Sequence, residues 1–293
     1  MRRMSSLDPS SKKKQTLGLC VSTMNGQLLR NTVLVSQIQE LGLATVVVNQ
    51  HGPDPGGVLS PDLWAEAPHV TVVNAEARGV SQSRNVGLHS LHAHWAVLCD
   101  DDVTLDREGL EALTDLLNGY DGPAHELVVA GELWHNASAP WRKYAKEIST
   151  LKGASIQNAL AIQRINSMEL VVPTSAYESR TLHFHPGLGL GSKGGVLAGE
   201  EVVYLQQHLA QGGHILRAPI RIRFHEQEST GSSIQASTIQ AMGAVHRHIF
   251  PWWLAPFLVV KMTWKWRGRG AGWKNNLSDY LSGMRLGSTL KSP

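Results

Sequence analysis

The first hundred residues alternate short apolar runs with segments in which apolar residues recur every three or four positions. Leu17-Gly18-Leu19-Cys20-Val21, Thr45-Val46-Val47-Val48, Val70-Thr71-Val72-Val73 and Trp95-Ala96-Val97-Leu98-Cys99 are compact and apolar, and the middle two are largely β-branched. Runs of this kind read as strands, the second and fourth of them buried on both faces. Between them, Leu29, Val33, Leu34 and Ile38 predict one helical face, with Gly42 as its stop signal, and Val86, Leu88 and Leu91 predict a second helix from Ser81 to His92. The Gly- and Pro-bearing stretch from His51 to Leu59 is loop. This strand–helix rhythm predicts an α/β fold, a mostly parallel Rossmann-like sheet flanked by helices and joined by right-handed crossovers.

The rhythm loosens after Gly122. Glu126 to Ala130 and Met168 to Val172 read as strands, separated by irregular ground that holds Trp134, Trp141 and Tyr144. A glycine-dense segment follows, then a helix from Glu200 to Gln211 with Val202, Leu205 and Leu209 on one face, then the strand Ile220 to Phe224. Near Thr238 the character changes to a tryptophan-rich apolar stretch followed by Lys261, Lys265, Arg267 and Arg269. Three parts are expected: a basic, polar, disordered tail over 1–15 with no apolar segment for a signal or anchor, an α/β domain over 16–237, and a helical extension over 238–293. The apolar stretch between His248 and Lys261 is shorter than the roughly 20 residues a spanning helix needs. It therefore reads either as an interfacial segment on an anionic membrane surface or as a helical pair closing the core.

Composition narrows the class. With 42% hydrophobic and 17% charged residues the chain is globular, not disordered. A net charge of +3 is too weak to argue for nucleic acid as a partner. Cys20 and Cys99 both lie in strand-like runs and read as buried free thiols, which suits a reducing, cytoplasmic compartment.

The candidate chemistry centres on Asp100, Asp101 and Asp102, which follow directly on a buried strand. Three adjacent carboxylates repel one another unless a cation or a set of donors neutralises them. The carboxyl ends of parallel strands are also where ligands bind in such sheets. A divalent metal held by Asp100 and Asp102 and carrying a phosphorylated substrate explains the triplet. Helix capping near Arg107 explains only one or two of the acids. Arg84 offers a bidentate fork to phosphate or forms a buried pair with the triplet. Glu200 and Glu201 open a helix, where the dipole favours negative charge. Asn49 and Gln50, at the end of the second strand, carry amides able to read a base edge, and Ser22, Thr23 and Asn25 follow the first strand toward the same place.

Arg78-Gly79-Val80-Ser81-Gln82-Ser83-Arg84-Asn85-Val86-Gly87, followed by the buried strand and the aspartate triplet, resembles family 2 glycosyltransferases of the GT-A fold. The glycine-rich Phe184 to Ser192, Gly199-Glu200-Glu201 and His225-Glu226-Gln227-Glu228-Ser229-Thr230-Gly231 are similar to further motifs of that family in the same order, so the resemblance spans Thr16 to Ser233. It implies an inverting transfer of sugar from a nucleotide-diphosphate donor, UDP first among them, to a glycan or lipid-linked acceptor. It implies Mn²⁺ or Mg²⁺ at Asp100 and Asp102 with His225 in reach, and donor contacts from Arg78, Ser81, Arg84, Asn85, Asp100 and Asp101. Glu201 would be the general base and Glu200 its neighbour on the acceptor. The chain carries Glu201 where many members have Asp, and it lacks the Asp-rich turn after the second strand. Acceptor selection is expected from Trp134 to Gln163, and placement at the inner face of a membrane from the tail. Two other functions are weighed against this. A sugar-nucleotide nucleotidyltransferase needs a glycine-rich loop after the first strand, and Val21 to Gly26 holds one glycine. An inert nucleotide-sugar-binding scaffold would have no use for clustered acids.

Overall fold

The computed structural model describes residues 15–53, 57–76, 78–175, 182–225, 235–265 and 272–289. The expected tail (1–14), Asp54, the Glu226 to Gly231 part of the last motif, and Arg267 and Arg269 lie outside the described residues. The apolar runs become β1 (Leu17–Met24), β2 (Ala44–Gln50), β3 (Val70–Ala75) and β4 (Trp95–Asp100), paired in parallel in the order β3-β2-β1-β4. Helix α1 (Thr32–Leu41) joins the first two, and α2 (Val80–Ser90) joins β3 to β4.

The rest of the chain extends this sheet with mixed pairing. Next come β5 (Thr104–Leu105), α3 (Arg107–Asn118), β6 (Leu127–Asn136), β7 (Ala139–Pro140), β8 (Ser149–Lys152), α4 (Ile156–Ile162) and β9 (Leu170–Pro173). Then α5 (Glu200–Ala210) and β10 (His214–Phe224) lead to α6 (Ala236–Ile249), α7 (Ala255–Lys265) and α8 (Trp273–Thr289). The full order is β3-β2-β1-β4-β9-β6-β10-β5, with β9 antiparallel to both its neighbours and β10 parallel to β6. Alternate strand residues feed two apolar layers: Cys20, Val46, Val48, Ala96 and Leu98 on one face, Leu19, Val21, Val47, Val97 and Cys99 on the other. Both cysteines are buried and unbridged, and burial pushes each thiol up to about 12.

One expected helical face is corrected. Leu29 and Val33 are exposed, while Leu28, Leu34 and Ile38 are buried. Asn31 accepts a hydrogen bond from Leu34 N at 3.1 Å and restarts the helix, so a single face cannot run from Leu29 to Ile38. The strands around Leu127 and His214 also run several residues beyond their expected bounds.

Helix α2 lies hard against the sheet. A Cβ on Gly87 would collide with Cys20 Sγ and press on Val48 Cγ2 at 3.2 Å. Gly87→Ala is therefore expected to cost about 1–3 kcal/mol through overpacking, read as a fall in Tm with the fold retained. In the extension, α6 and α8 pack closely against each other on either side of α7 in the sequence. Gly283 faces Gln240 O and Gly243 faces Tyr280 O with no room for a side chain, and Tyr280 Oη lies 2.7 Å from His246 Nδ1.

Candidate functional site

The chain order reverses between β1 and β4. From β1 it runs outward through β2 to β3, then crosses to β4 on the other side, and Ser22 stands opposite Asp100 in the ladder. A crevice forms beyond the carboxyl ends of strands at such a switch point. The aspartate triplet sits there, Asp100 ending β4 and Asp101 and Asp102 in the following turn.

The three carboxylates have separate partners. Asp100, with its side chain 32% exposed, accepts from Arg84 Nη2 at 3.2 Å. Asp101 accepts from Thr23 Oγ1 at 2.5 Å, and that oxygen in turn accepts from Leu28 N at 2.9 Å. Burial pushes the Asp101 carboxyl up, and the Thr23 bond opposes the shift. Asp101 thus staples the loop after β1 to the loop after β4. Asp102, 47% exposed, lies 3.0 Å from Nε2 of the buried His225.

Arg84 joins the triplet to the glutamate pair. It is buried, donating from Nη1 to Glu200 Oε1 at 2.5 Å and from Nη2 to Asp100 and to Ser167 Oγ at 3.0 Å, with Phe184 under its guanidinium at 5.7 Å. Burial opposes its charge, but Asp100 and Glu200 outweigh burial and hold its pKa above the ordinary value. Arg84 forms the pair with Asp100, a reading that does not exclude a contact with phosphate, and Glu200 is a further partner. Glu200 is therefore fixed at the start of α5. Its neighbour Glu201 is half-buried and has no ion pair among the described residues. Burial, then the Glu200 charge, pushes the Glu201 carboxyl up to about 8.

The remaining candidates of α2 are brought to this region as clamps. Asn85 donates to Phe184 O at 2.8 Å and accepts from Phe184 N at 2.9 Å, and Ser81 donates to Leu188 O at 2.7 Å. Ser83 donates to Ser22 at 2.9 Å, and Gln50 Oε1 accepts from Gly79 N at 2.6 Å. These bonds seat the start of α2 on the ends of β1 and β2 and on the glycine-rich loop.

The base-reading candidates divide. Asn49 is fully buried: it accepts from Gly26 N at 2.9 Å and donates to Gly57 O at 2.7 Å and Asn74 Oδ1 at 2.8 Å. Its amide is saturated by the protein itself. Asn25 and Arg78 are exposed at the same end of the sheet, and the Arg78 guanidinium lies against Gly52 just after β2.

Several neighbours of the site have no role in the sequence reading, Phe184 being named only as the start of the glycine-rich motif. Ser167 and Phe184 hold Arg84, as above. Glu169, buried two residues on, pairs with Arg142 and accepts from Tyr144 Oη at 2.7 Å. Arg223 is fully buried and donates from Nη1 to Leu98 O, while its Nε and Nη2 have no hydrogen-bond partner among the described residues. Desolvation lowers its pKa, and the Asp100 charge opposes that fall. Of these, only Glu169 had a local signal: Asn166 three residues before Glu169 is a capping box.

Among the described residues no three His, Cys, Asp or Glu side chains are gathered to hold a metal. Mg²⁺ and similar hard cations use one or two carboxylates together with water and substrate phosphate oxygens. Asp100 and Asp102 offer such oxygens, both partly exposed, so the donor set fits a cation shared with a phosphorylated substrate. His225 stands behind Asp102 and orients it, as outer partners of metal ligands do.

No protein-family model matches the chain, and no curated protein matches it by sequence. Solved structures do share its fold. TarS from S. aureus, residues 1–349 in complex with UDP-GlcNAc, aligns over 92% of this chain and 82% of that one at 14% identity with a TM-score of 0.56. The same piece in complex with UDP aligns at 13% identity and a TM-score of 0.53, again over 92% and 82%. At this identity the likeness establishes the α/β architecture.

Proposed function

We propose that the chain is a glycosyltransferase that uses a nucleotide-diphosphate sugar, UDP-linked in the first instance, and transfers the sugar with inversion to a hydroxyl of a glycan or lipid-linked acceptor. The observation that carries this reading is the Arg84 bridge. It holds Asp100 of the acidic triplet and Glu200 of the glutamate pair on one buried guanidinium, so the two acidic sets face a common site. Support also comes from the shared fold of TarS, whose structures hold UDP-GlcNAc and UDP, and from the family 2 resemblance of the motifs that meet here.

The roles follow from the contacts. Asp100 and Asp102 would hold Mg²⁺ or Mn²⁺, which supplies charge neutralisation of the leaving diphosphate. Arg84 aims Asp100, and His225 aims Asp102. Arg78, exposed beside the β2 end, is free to meet a phosphate. Glu201 accepts the proton of the acceptor hydroxyl as that oxygen bonds to the anomeric carbon, and the bond to the diphosphate oxygen breaks on the opposite face. Glu200, tied to Arg84, positions rather than abstracts.

The test is a panel of nucleotide sugars incubated with the purified chain, scoring nucleotide diphosphate release and glycoside formation by mass spectrometry with added Mg²⁺ or Mn²⁺ and with chelator. Release from a UDP-sugar that needs metal is expected. Asp102→Asn is expected to lower it by about 10²-fold or more, since a metal supplies several kcal/mol of charge stabilisation. Full activity of Asp102→Asn in chelator would remove the metal assignment, and silence across the whole panel would remove the transferase reading.

A further inference from the structure

Helix α7 is apolar on two opposite sides. Inward, Leu258 and Met262 are buried in the core, with Leu254 and Val259 packed against the same cluster. Outward, Trp253, Phe257, Val260 and Trp264 are 50%, 69%, 69% and 74% exposed, and Trp252 beside them is 75% exposed. Spacings of four, three and four residues put that outer set on one helical stripe. Large aromatics gathered so on a soluble surface mark a binding face.

The charge around the stripe names the occupant. Between Glu228 and Asp279 the sequence contains no acidic residue, while Lys261, Lys265, Arg267, Arg269 and Lys274 fall within or just after the stripe. Lys261 is exposed on α7, and Lys274 Nζ lies 5.7 Å from the Trp273 ring at the start of α8. A protein partner would be met equally well by a mixed rim. A tryptophan-bearing stretch of chain with basic and no acidic residues matches an anionic lipid headgroup layer, where indoles sit at the interface and Lys and Arg meet phosphate. No helix among the described residues is long and apolar enough to cross a membrane, and the 11 residues of α7 reach about 16 Å against the roughly 30 Å of a bilayer core. The helix therefore lies in the plane of the surface.

We propose that the outer face of α7 and the turn before it is a docking surface for an anionic bilayer, with Trp252, Trp253, Phe257 and Trp264 entering the headgroup region and the exposed Lys261 and Lys274 contacting acidic lipids. The inner face anchors the helix to α8 and the core, so binding would present the protein in one orientation. This surface is independent of the transferase reading, since it is measured without turnover.

The experiment is flotation of the full-length protein with vesicles of phosphatidylglycerol and phosphatidylcholine, and with phosphatidylcholine alone, across a salt series. Binding to the anionic vesicles is expected, weakening about fivefold for each basic contact that salt screens, with little binding to the neutral ones. The triple variant Trp252→Ser, Phe257→Ser, Trp264→Ser is expected to lose at least tenfold in anionic-vesicle affinity while Tm holds within a few degrees, because all three residues are at least 69% exposed. Lys261→Glu, which leaves the apolar stripe intact, is expected to weaken binding chiefly at low salt. Wild type that ignores anionic vesicles overturns the proposal, as does unchanged binding by the triple variant. So does a wild-type dimer in sedimentation that the triple variant dissolves without any lipid binding, which would make the stripe a contact between copies.

Discussion

Glu201→Gln is expected to lose about 10²–10⁴-fold in turnover while donor affinity stays within a few-fold of wild type. The amide keeps the size and shape of the carboxyl and removes only its capacity to take a proton. Glu201 suits the task because its neighbour Glu200 is bound to Arg84 while its own carboxyl is not. Burial and the Glu200 charge push Glu201 up to about 8, so the ionised, proton-accepting form grows as pH rises through that region. Wild-type kcat/KM is therefore expected to climb on a limb well above the ordinary carboxylate range and to level off beyond it. The stability consequence has the opposite sign. The raised folded-state value means that the folded protein holds this proton more tightly than the unfolded chain, a stabilisation present at low pH and lost as pH rises through the shifted value. Glu201→Gln removes that loss, so above pH 8 the variant should melt no lower than wild type. Glu200→Gln should behave differently, with lower Tm from the weakened Arg84 pair and a milder effect on turnover. Turnover and melting measured for both variants decide the assignment, and if Glu200→Gln suffers the greater turnover loss the base is Glu200.

What was legible in the sequence was what local pattern encodes. Four strands, the acids at the end of the fourth and the crossover helix before it all follow from short-range rules, and the switch point follows from their order; that β3 is a half-exposed edge strand does not. The Arg84–Glu200 bond joins residues 116 positions apart, and no local signal carries such a pair. Ser167 opens a three-residue 3-10 turn just before β9, and a turn that short leaves no periodic signal. Arg223 misleads for another reason: period two sets it with Arg221 on one face of β10, which resembles a solvated face, yet it is fully buried. The amides at the β2 end show the limit of reading chemistry from residue type. Asn49 has the groups to read a base, but Gly26, Gly57 and Asn74 already use them. The tail carried two readings because its helices do two things: α6 and α8 close the core, and α7 shows aromatics to solvent.

Arg84→Met is expected to destabilise the protein by about 3–5 kcal/mol, the cost of removing one partner from a buried ion pair, with a fall in Tm on the order of 10 °C. The arginine side chain is 3% exposed and Glu200's is 7%, so the glutamate would be left as an unpaired buried charge, whereas Asp100 at 32% can turn to water and contributes less. Arg84→Lys separates position from charge. Lysine keeps the positive charge but, as a point donor on a flexible stem, cannot at once reach Glu200 from one nitrogen and Asp100 and Ser167 from another. It should recover part of the stability and little of the donor affinity, because Asp100 is no longer aimed at the site. Melting curves, with calorimetric titration of the nucleotide diphosphate, read both quantities. Lysine restoring full donor affinity while stability stays low would make Arg84 a packing residue, and the bridge would then no longer tie the acidic triplet to the glutamate pair in function.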